Sequence, residues 1–375
     1  MWFWLAVVGL ALLAGVLYFL QWRSTPLLAQ YGDLTQAPVN RWVKVPLGGD
    51  TRCADGGPYA IYVRRGSSNN LLIHFAGGGA CWDAETCARP ISLIDLDGNY
   101  FVNLLDERRA ILDGIFSTQN PANALRDWSV VYIPYCTADF HLGNTTGVFT
   151  DAAGQTETIY FNGQKNTQAA LAFAAQNFAQ PQQILLSGDS AGGFAAAIWA
   201  GVVQRQYPQA RLTELSDSSS IISERWPEVV DQIWGASLQQ TFGVAPAADL
   251  LNAAYQSARD QNLPVTFLSI YTLHDSTLPK FEAELNGMGE ESAYAATWTA
   301  HMLASAARAA SYPNYACFIT GYGFQQATQT TPHTLTPYAV YFDARENGIL
   351  LSDWLNRAVI ENQLVNIGEN YLNDR

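Results

Sequence analysis

Short apolar runs alternate with alanine-rich helical stretches through most of this sequence. Five runs that lack polar alternation are predicted as buried strands: Leu71–Ala76, Val130–Tyr135, Ile184–Ser187, Val265–Tyr271 and Tyr315–Thr320. Thr167–Ala179 and Ala191–Tyr207 are predicted as helices, because they are rich in alanine and end close to Pro181 and Pro208. Strands joined through helices predict an α/β fold with a mostly parallel sheet and helices on both faces.

Two segments are too long to be simple connections within such a fold. Residues 221–262 and 279–313 are predicted to add helices that cap the mouth of the site. No run of Pro, Gly and Ser interrupts the chain, and no internal repeat divides it. We therefore predict a single catalytic domain over residues 30–375, preceded by a separate segment and linker over residues 1–29.

The N-terminal segment contains an unbroken apolar run from Trp2 to Leu20. A helix of this length crosses the ~30 Å hydrocarbon core of a bilayer. We predict a transmembrane anchor and keep a cleaved signal peptide as the alternative, although no basic n-region precedes the run. Arg23, the nearby side-chain charge, follows the run and weakly favours a cytoplasmic catalytic domain.

The charge of the chain excludes some classes of partner. Its formal net charge is -13 and its isoelectric point is about 4.7. Binding to nucleic acid or to anionic lipid requires a concentrated basic surface, so neither is expected. The acidity is interpreted as a determinant of solubility.

The sequence contains five cysteines, and this odd number leaves at least one unpaired within the chain. Cys81 and Cys87 are close enough to close a small loop, and a disulfide there would indicate an oxidising compartment. Five buried thiols are the alternative. No CxxC or HxxxH spacing is present, so no metal site is predicted, and no cofactor is expected.

The strongest local signal is Gly188-Asp-Ser-Ala-Gly192, which lies between a predicted strand and a predicted helix. This is the G-x-S-x-G pattern in the strand-turn-helix setting of an α/β-hydrolase nucleophile. We predict Ser190 as the nucleophile, with helix capping by the same serine as the alternative. The helix that follows adds a dipole favourable to developing negative charge.

A glycine-rich loop follows the strand Leu71–Ala76, where a hydrolase places its oxyanion loop. Gly78 and Gly79 let backbone N–H groups approach a substrate oxygen, so we predict an oxyanion hole from these two amides and that of Ala191. A phosphate-binding loop is the rejected alternative, because Lys-Ser/Thr does not follow. His74, inside the apolar strand, is predicted to be a core histidine with satisfied hydrogen bonds.

A serine nucleophile needs a base and an acid, which follow it in the order Asp or Glu and then His. The histidines after Ser190 are His274, His301 and His333. We predict His333 as the base, because it lies in a polar loop after the last predicted strand. Asp275, just past the strand Val265–Tyr271, is the preferred acid. Asp217, after another candidate strand, is its alternative.

These motifs and others resemble the pectin acetylesterase and Notum-like carboxylesterases, especially their bacterial members. The resemblance runs from about Arg52 to His333 and includes Cys53-Ala-Asp-Gly-Gly-Pro-Tyr59, Gly77-Gly-Gly-Ala-Cys-Trp82, Cys87, Asn120-Pro121, Asp127-Trp128, Pro134-Tyr-Cys-Thr137, Asp139, His141 and Gly188-Asp-Ser-Ala-Gly192. It implies the triad of Ser190, Asp275 and His333, and the hydrolysis of acyl esters outside the cytoplasm. That implication outweighs Arg23, so an extracytoplasmic domain is expected, either anchored or secreted.

The predicted function is therefore that of a serine carboxylesterase that removes acyl groups, with acetyl favoured, from a glycan or a small ester. Neutral acetylated glycans fit the acidic chain better than polyanionic pectin, because like charges repel over ~8–10 Å. The alternatives are an acyltransferase that uses the same triad, a catalytically silent binding protein and a peptidase. Trp82, Trp226 and Trp234 are candidates for an acyl pocket or for core packing.

Overall fold

One eight-stranded sheet organises the chain. The computed structural model describes residues 25–91, 98–102, 113–151, 154–288 and 294–373. The strands of the sheet are β1 (Trp42–Pro46), β2 (Ala60–Arg64), β3 (Asn70–Phe75), β4 (Ser129–Ile133), β5 (Gln183–Asp189), β6 (Arg211–Asp217), β7 (Val265–Thr272) and β8 (Tyr315–Thr320). Their order across the sheet is β1-β2-β4-β3-β5-β6-β7-β8. β2 is antiparallel to both neighbours, and the other pairs are parallel. The predicted mostly parallel, α/β-hydrolase-like sheet is confirmed.

The five predicted strands are β3, β4, β5, β7 and β8, and β1 and β2 were not predicted. β1 alternates between buried and more exposed residues, with Val43 and Val45 facing the core. A strand with one solvated face carries an alternating pattern, and the prediction relied on unbroken apolar runs. β2 is wholly buried, but it is short and ends in Arg64.

Six helices of eight or more residues accompany the sheet in the described part of the chain. They are α1 (Gly163–Asn177), α2 (Ala191–Gln206), α3 (Leu250–Asp260), α4 (Leu278–Leu285), α5 (Ala295–Ala310) and α6 (Leu351–Val359). α1 and α2 confirm the two predicted helices. Shorter α-helices are Ala84–Cys87, Leu238–Phe242 and Asn370–Asn373, with a π-helical turn at Glu228–Ile233 and 3₁₀ turns at Leu28–Gln30, Gly114–Phe116 and Ala339–Phe342.

Three two-stranded ribbons lie outside the main sheet in the same described residues. They pair Pro90–Ile91 with Tyr100–Phe101, Thr145–Thr150 with Thr156–Phe161, and Arg345–Glu346 with Ile349–Leu350. The first ribbon follows the glycine-rich loop in the chain, so it belongs to the surroundings of the candidate site.

Helices cover both faces of the sheet, as predicted. Tyr255 of α3 lies 5.7 Å from Tyr315 of β8, between ring centroids. Trp354 of α6 lies 5.6 Å from Phe318 of the same strand. Tyr315 and Phe318 are three residues apart, and side chains alternate along a strand, so the two helices lie on opposite faces.

The two segments predicted as a cap only partly lie near the candidate site. α3, in residues 221–262, packs on α2 and so covers the sheet as a crossover helix rather than capping the mouth. Other parts of both segments contact residues that follow the glycine-rich loop, namely Cys81 and Arg89. Trp234 Nε1 donates to the carbonyl oxygen of Cys81 at 2.7 Å, and Glu284 of α4 pairs with Arg89.

Two disulfides and one thiol account for the cysteines. The bonds join Cys53 to Cys136 and Cys81 to Cys87, and Cys317 is free and buried. Of the two alternatives left open, the small loop closed by Cys81 and Cys87 is present and five thiols are not, whereas the longer bond was not predicted. Burial raises the pKa of the Cys317 thiol to about 12, so the thiolate is suppressed at neutral pH.

The predicted anchor over Trp2–Leu20 lies outside the described residues. Within the part of the chain that the structure describes, no helix combines the length and the apolar character needed to span a bilayer. The boundary between the N-terminal segment and the catalytic domain stays a prediction.

Candidate active site

Ser190 occupies a sharp turn between the carboxyl end of β5 and the first residue of α2. Its φ is 52° and its ψ is -123°, a backbone conformation that L-residues rarely adopt. Two hydrogen bonds hold the turn, since the Ser190 amide donates to the Asp217 carbonyl at 2.8 Å and Ser219 Oγ donates to the Ser190 carbonyl at 2.7 Å. A Cβ on Gly188 would lie 2.0 Å from the Gly192 oxygen, so the turn requires glycine there. The turn therefore has the geometry of a nucleophile elbow.

The carboxylate of Asp275 lies against His333. Its Oδ2 and Oδ1 atoms are 2.9 and 3.0 Å from His333 Nδ1. The acid side chain is almost fully buried, whereas the His333 side chain keeps 18% of its surface exposed. An ionised carboxylate accepts only, so Nδ1 carries a proton and Nε2 is the basic nitrogen of the neutral ring.

The pKa of His333 results from opposing causes. Burial alone would lower it, but the charge of Asp275 and its hydrogen bond raise it, as do the charges of Asp217 and Asp189. The net effect is a pKa above the ordinary value of 6.5 for a histidine. The surrounding carboxylates therefore stabilise the imidazolium, the form that a general base produces when it takes a proton.

Asp217 does not contact His333 but fastens the residues that follow it. Its Oδ2 accepts from the amides of Leu335 and Thr336 at 2.8 and 2.7 Å, and from Thr336 Oγ1 at 2.7 Å. Burial raises the pKa of Asp217, and the hydrogen bonds from Thr336 oppose that rise. This alternative acid is thus part of the support of the histidine loop.

The end of β7 supports the other side of the histidine loop. Thr272 Oγ1 donates to the Pro332 carbonyl at 3.0 Å, and the Thr331 amide donates to the His274 carbonyl at 2.7 Å. Together with Asp217, these contacts fix His333 between the carboxyl ends of β6 and β7.

The glycine-rich loop runs beside Ser190. A Cβ on Gly77 would lie 2.8 Å from Ser190 Cβ, and Gly78 and Gly79 have φ values of 157° and 76°. Their carbonyl oxygens are occupied, since Gly78 accepts from the Phe101 amide at 3.0 Å and Gly79 accepts from Tyr135 Oη at 2.7 Å. Within the described residues, the amides of Gly78 and Gly79 donate no hydrogen bond.

The structure brings some of the predicted residues into contact and leaves others apart. Asp275 contacts His333, and Gly77, which precedes the predicted oxyanion residues Gly78 and Gly79, borders Ser190. No hydrogen bond joins Ser190 Oγ to His333 in the described part of the chain. The two are linked indirectly, because Asp217 binds the Ser190 amide through its carbonyl and the histidine loop through its carboxylate. Hydrogen bonds between nucleophile and base are often long in unliganded sites and shorten when substrate binds.

Two of the other histidines, His74 and His301, have structural partners. His74 is buried, with Nδ1 2.8 Å from Ser187 Oγ and Nε2 2.9 Å from Asp189 Oδ1, which confirms the prediction of a satisfied core histidine. His301 lies 2.6 Å from the buried Glu282, which links α4 to α5.

Tyr135 contacts the glycine-rich loop, and the sequence did not reveal this contact. Its hydroxyl donates to Gly79 and accepts from the Phe140 amide at 3.0 Å. Burial raises its pKa well above the ordinary value for tyrosine, so the hydroxyl stays protonated and can donate. In the sequence, only its place in the motif Pro134-Tyr-Cys-Thr137 drew attention to Tyr135.

Asp139, in the next turn, accepts from Thr137 Oγ1 at 2.6 Å and from the Gly163 amide at 2.8 Å, and these bonds hold the same region in place.

Trp82, Trp226 and Trp234 were candidates for an acyl pocket or for core packing. Each is at most 2% exposed. The structure therefore supports core packing.

No group of three or more His, Cys, Asp and Glu side chains suited to a metal ion occurs among the described residues.

Comparison with known proteins agrees with the motifs. The family model described as pectinacetylesterase matches residues 41–281, from β1 into α4. The chain belongs to the pectinacetylesterase family. The match includes Ser190, Asp275 and the glycine-rich loop, and it ends before His333. The resemblance stated from the motifs is thereby confirmed at the level of the family, and its bacterial character stays a prediction.

Individual relatives match shorter stretches. Palmitoleoyl-protein carboxylesterase NOTUM of Schmidtea mediterranea is 30% identical over 162 residues, which cover 41% of this chain and 29% of that protein. Pectin acetylesterase 11 of Arabidopsis thaliana is 28% identical over 45% of this chain and 42% of its own length. Pectin acetylesterase 7 of the same plant is 26% identical over 54% and 50%. The matches therefore span half or less of each relative.

Proposed function

We propose that this member of the pectinacetylesterase family is a serine carboxylesterase that removes acyl groups, acetyl above all, from a glycan or a small ester. The observation that carries the proposal is the bidentate contact of Asp275 with His333 Nδ1, at the edge of the sheet where Ser190 forms its strained turn. Membership of the family and the relatives named as carboxylesterase and acetylesterases support the same chemistry.

The proposed reaction begins with Ser190 Oγ, which attacks the ester carbonyl carbon while His333 Nε2 takes its proton. Asp275 holds the ring in the required tautomer and stabilises the imidazolium. The amides of Gly78, Gly79 and Ala191 hold the oxyanion; in support, the first two donate to no described residue, and Ala191 is the first residue of α2, where amides lack partners within the helix. The imidazolium then protonates the leaving alcohol. Water, activated by the same base, releases the carboxylic acid and restores Ser190.

Charge favours a neutral substrate. Three carboxylates, those of Asp189, Asp217 and Asp275, act on His333, and the chain carries a net charge of -13. A polyuronate would be repelled within a Debye length of ~8–10 Å. Neutral acetylated glycans and small acyl esters are therefore the proposed substrates. The two disulfides support a catalytic domain outside the cytoplasm, either anchored through Trp2–Leu20 or secreted.

The test is hydrolysis of p-nitrophenyl acetate by the purified full-length chain and by Ser190→Ala. Ser311→Ala, an exposed serine at the end of α5, is the matched control. We expect turnover in the wild type and in the control, and none in Ser190→Ala. A fluorophosphonate probe should label the peptide that contains Ser190. Equal turnover in wild type and Ser190→Ala, or a probe bound elsewhere, would refute the proposal.

A further inference from the structure

The side chain of Phe281 borders the glycine-rich loop. A Cβ built on Gly79 would be 3.2 Å from Phe281 Cζ, so the ring lies close enough to crowd any side chain at this position. Phe281 is only partly buried, and its ring meets Trp82 edge-on with centroids 6.3 Å apart. It therefore presents an apolar surface next to an amide proposed to bind the oxyanion.

The helix that carries Phe281 is fastened at both ends to the proposed machinery. Asp275 Oδ1 accepts from the amides of Thr277 and Leu278 at the start of α4, at 2.8 and 2.9 Å. Near its end, Glu284 accepts from Asn99 Nδ2 at 2.9 Å and pairs with Arg89. Asn99 in turn accepts from the Ala80 amide at 3.0 Å. Phe281 is thus held in place relative to both the acid and the loop.

The chemistry of the reaction decides which part of a substrate would meet Phe281. The carbonyl oxygen must bind the amides of the loop, and the alkoxy group must face His333, which protonates it. The acyl group occupies the remaining direction, away from His333, and its first carbons stay within reach of Gly79. A longer acyl chain there would collide with Phe281.

Four aromatic side chains form a packed cluster beside the loop, each at most 2% exposed: Phe140, Phe194, Trp226 and Trp234. Their ring centroids lie 4.6–6.2 Å apart. Trp234 is also bonded to the Cys81 carbonyl at 2.7 Å, which fixes the cluster against the loop. Interiors packed in this way do not open for extra methylenes without strain.

We propose that Phe281 sets the acyl length of the site, so that acetyl-sized groups are accepted and longer acyl chains are excluded. This inference rests on the proposed esterase function and names the residue that determines its specificity. Phe281 acts by occupying space rather than by taking part in bond changes, so it governs the choice of acyl group and not the proton transfers.

The experiment compares p-nitrophenyl acetate, butyrate and octanoate as substrates of the full-length wild type and of Phe281→Ala. Phe178→Ala is the matched control, since Phe178 is also partly buried against the core but follows the last residue of α1, near the amino end of β5 and remote from Ser190. The ratio of kcat/KM for octanoate to that for acetate is measured on one preparation, so partial unfolding of a variant cancels.

We expect the wild type to prefer acetate. In Phe281→Ala the octanoate-to-acetate ratio should rise by about tenfold or more, since one methylene in an apolar pocket already changes kcat/KM by roughly 10–200-fold. Phe178→Ala should leave the ratio unchanged. An unchanged ratio in Phe281→Ala, or a wild type that prefers octanoate, would overturn the inference while the esterase function stands. A wild type inactive on all three esters would overturn both.

Discussion

Replacing Asp275 with Asn tests the division of labour between the two carboxylates at the edge of the sheet. Asp275 contacts His333 Nδ1 through both oxygens, whereas Asp217 binds Leu335 and Thr336. The two variants Asp275→Asn and Asp217→Asn are nearly isosteric with the wild type. They remove the same charge from neighbouring strand ends and so serve as controls for each other.

The structure gives the expected size of the effect at Asp275. An amide has one oxygen, and the start of α4 already supplies two donors to Asp275 Oδ1, at 2.8 and 2.9 Å. That oxygen would stay with the helix, where two donors already use its two lone pairs, and the NH₂ group would replace Oδ2, the oxygen 2.9 Å from His333 Nδ1; this favours the tautomer with the proton on Nε2. A base in the wrong tautomer loses about 10⁴ in kcat. That factor corresponds to about 5.5 kcal/mol of transition-state stabilisation.

The effect of Asp217→Asn should fall on stability instead. Three donors converge on Asp217 Oδ2, two of them from Thr336. A neutral amide oxygen has two lone pairs, so at least one buried donor loses its partner, at a cost of about 1–3 kcal/mol. His333 keeps its contact with Asp275, and we expect kcat to fall by about tenfold or less, well short of the triad effect.

The measurements are kcat on p-nitrophenyl acetate and the free energy of unfolding by urea for both variants. We expect a large loss of kcat with near-normal stability in Asp275→Asn, and the reverse in Asp217→Asn. If Asp217→Asn lost the activity while Asp275→Asn kept it, Asp217 would be the acid and our reading of the hydrogen bonds would be refuted.

Three further predictions concern the base, the loop and the disulfide. The acid limb of the kcat/KM profile should lie above pH 6.5, because the pKa of His333 is raised and the ring cannot accept a proton until the pH exceeds that pKa. A pH–rate profile whose acid limb lies below pH 6.5 would contradict this. Tyr135→Phe removes the hydrogen bond to the Gly79 carbonyl and should lower kcat by about tenfold with little change in KM, since oxyanion binding is needed only in the transition state. Equal kcat in wild type and variant would exclude a role of Tyr135 in holding the oxyanion loop. Replacing Cys53 and Cys136 together with Ser should lower the free energy of unfolding by about 4–5 kcal/mol, because the bond spans 83 residues, and urea titration that finds no loss would refute the estimate.

Much of the fold follows from local sequence. The five unbroken apolar runs became β3, β4, β5, β7 and β8, because a strand buried on both faces cannot carry polar alternation. The turn at Ser190 and the glycine-rich loop were also visible, since each depends on glycines at fixed positions next to a strand end. β1 was not predicted, because its alternating pattern belongs to a strand with one solvated face.

The contacts between distant segments were decided by the tertiary structure. Asp217 ends β6 and Asp275 follows β7, and both strands end at one edge of the sheet, so the sequence placed both near His333 and preferred Asp275 by its position alone. The choice depends on the direction of each side chain, which the packing of the histidine loop sets. The bond from Cys53 to Cys136 and the position of Phe281 beside Gly79 likewise depend on strand order and on the anchoring of α4. Local patterns specify which elements form, but only the assembled sheet brings residues far apart in the chain within hydrogen-bonding and van der Waals distance.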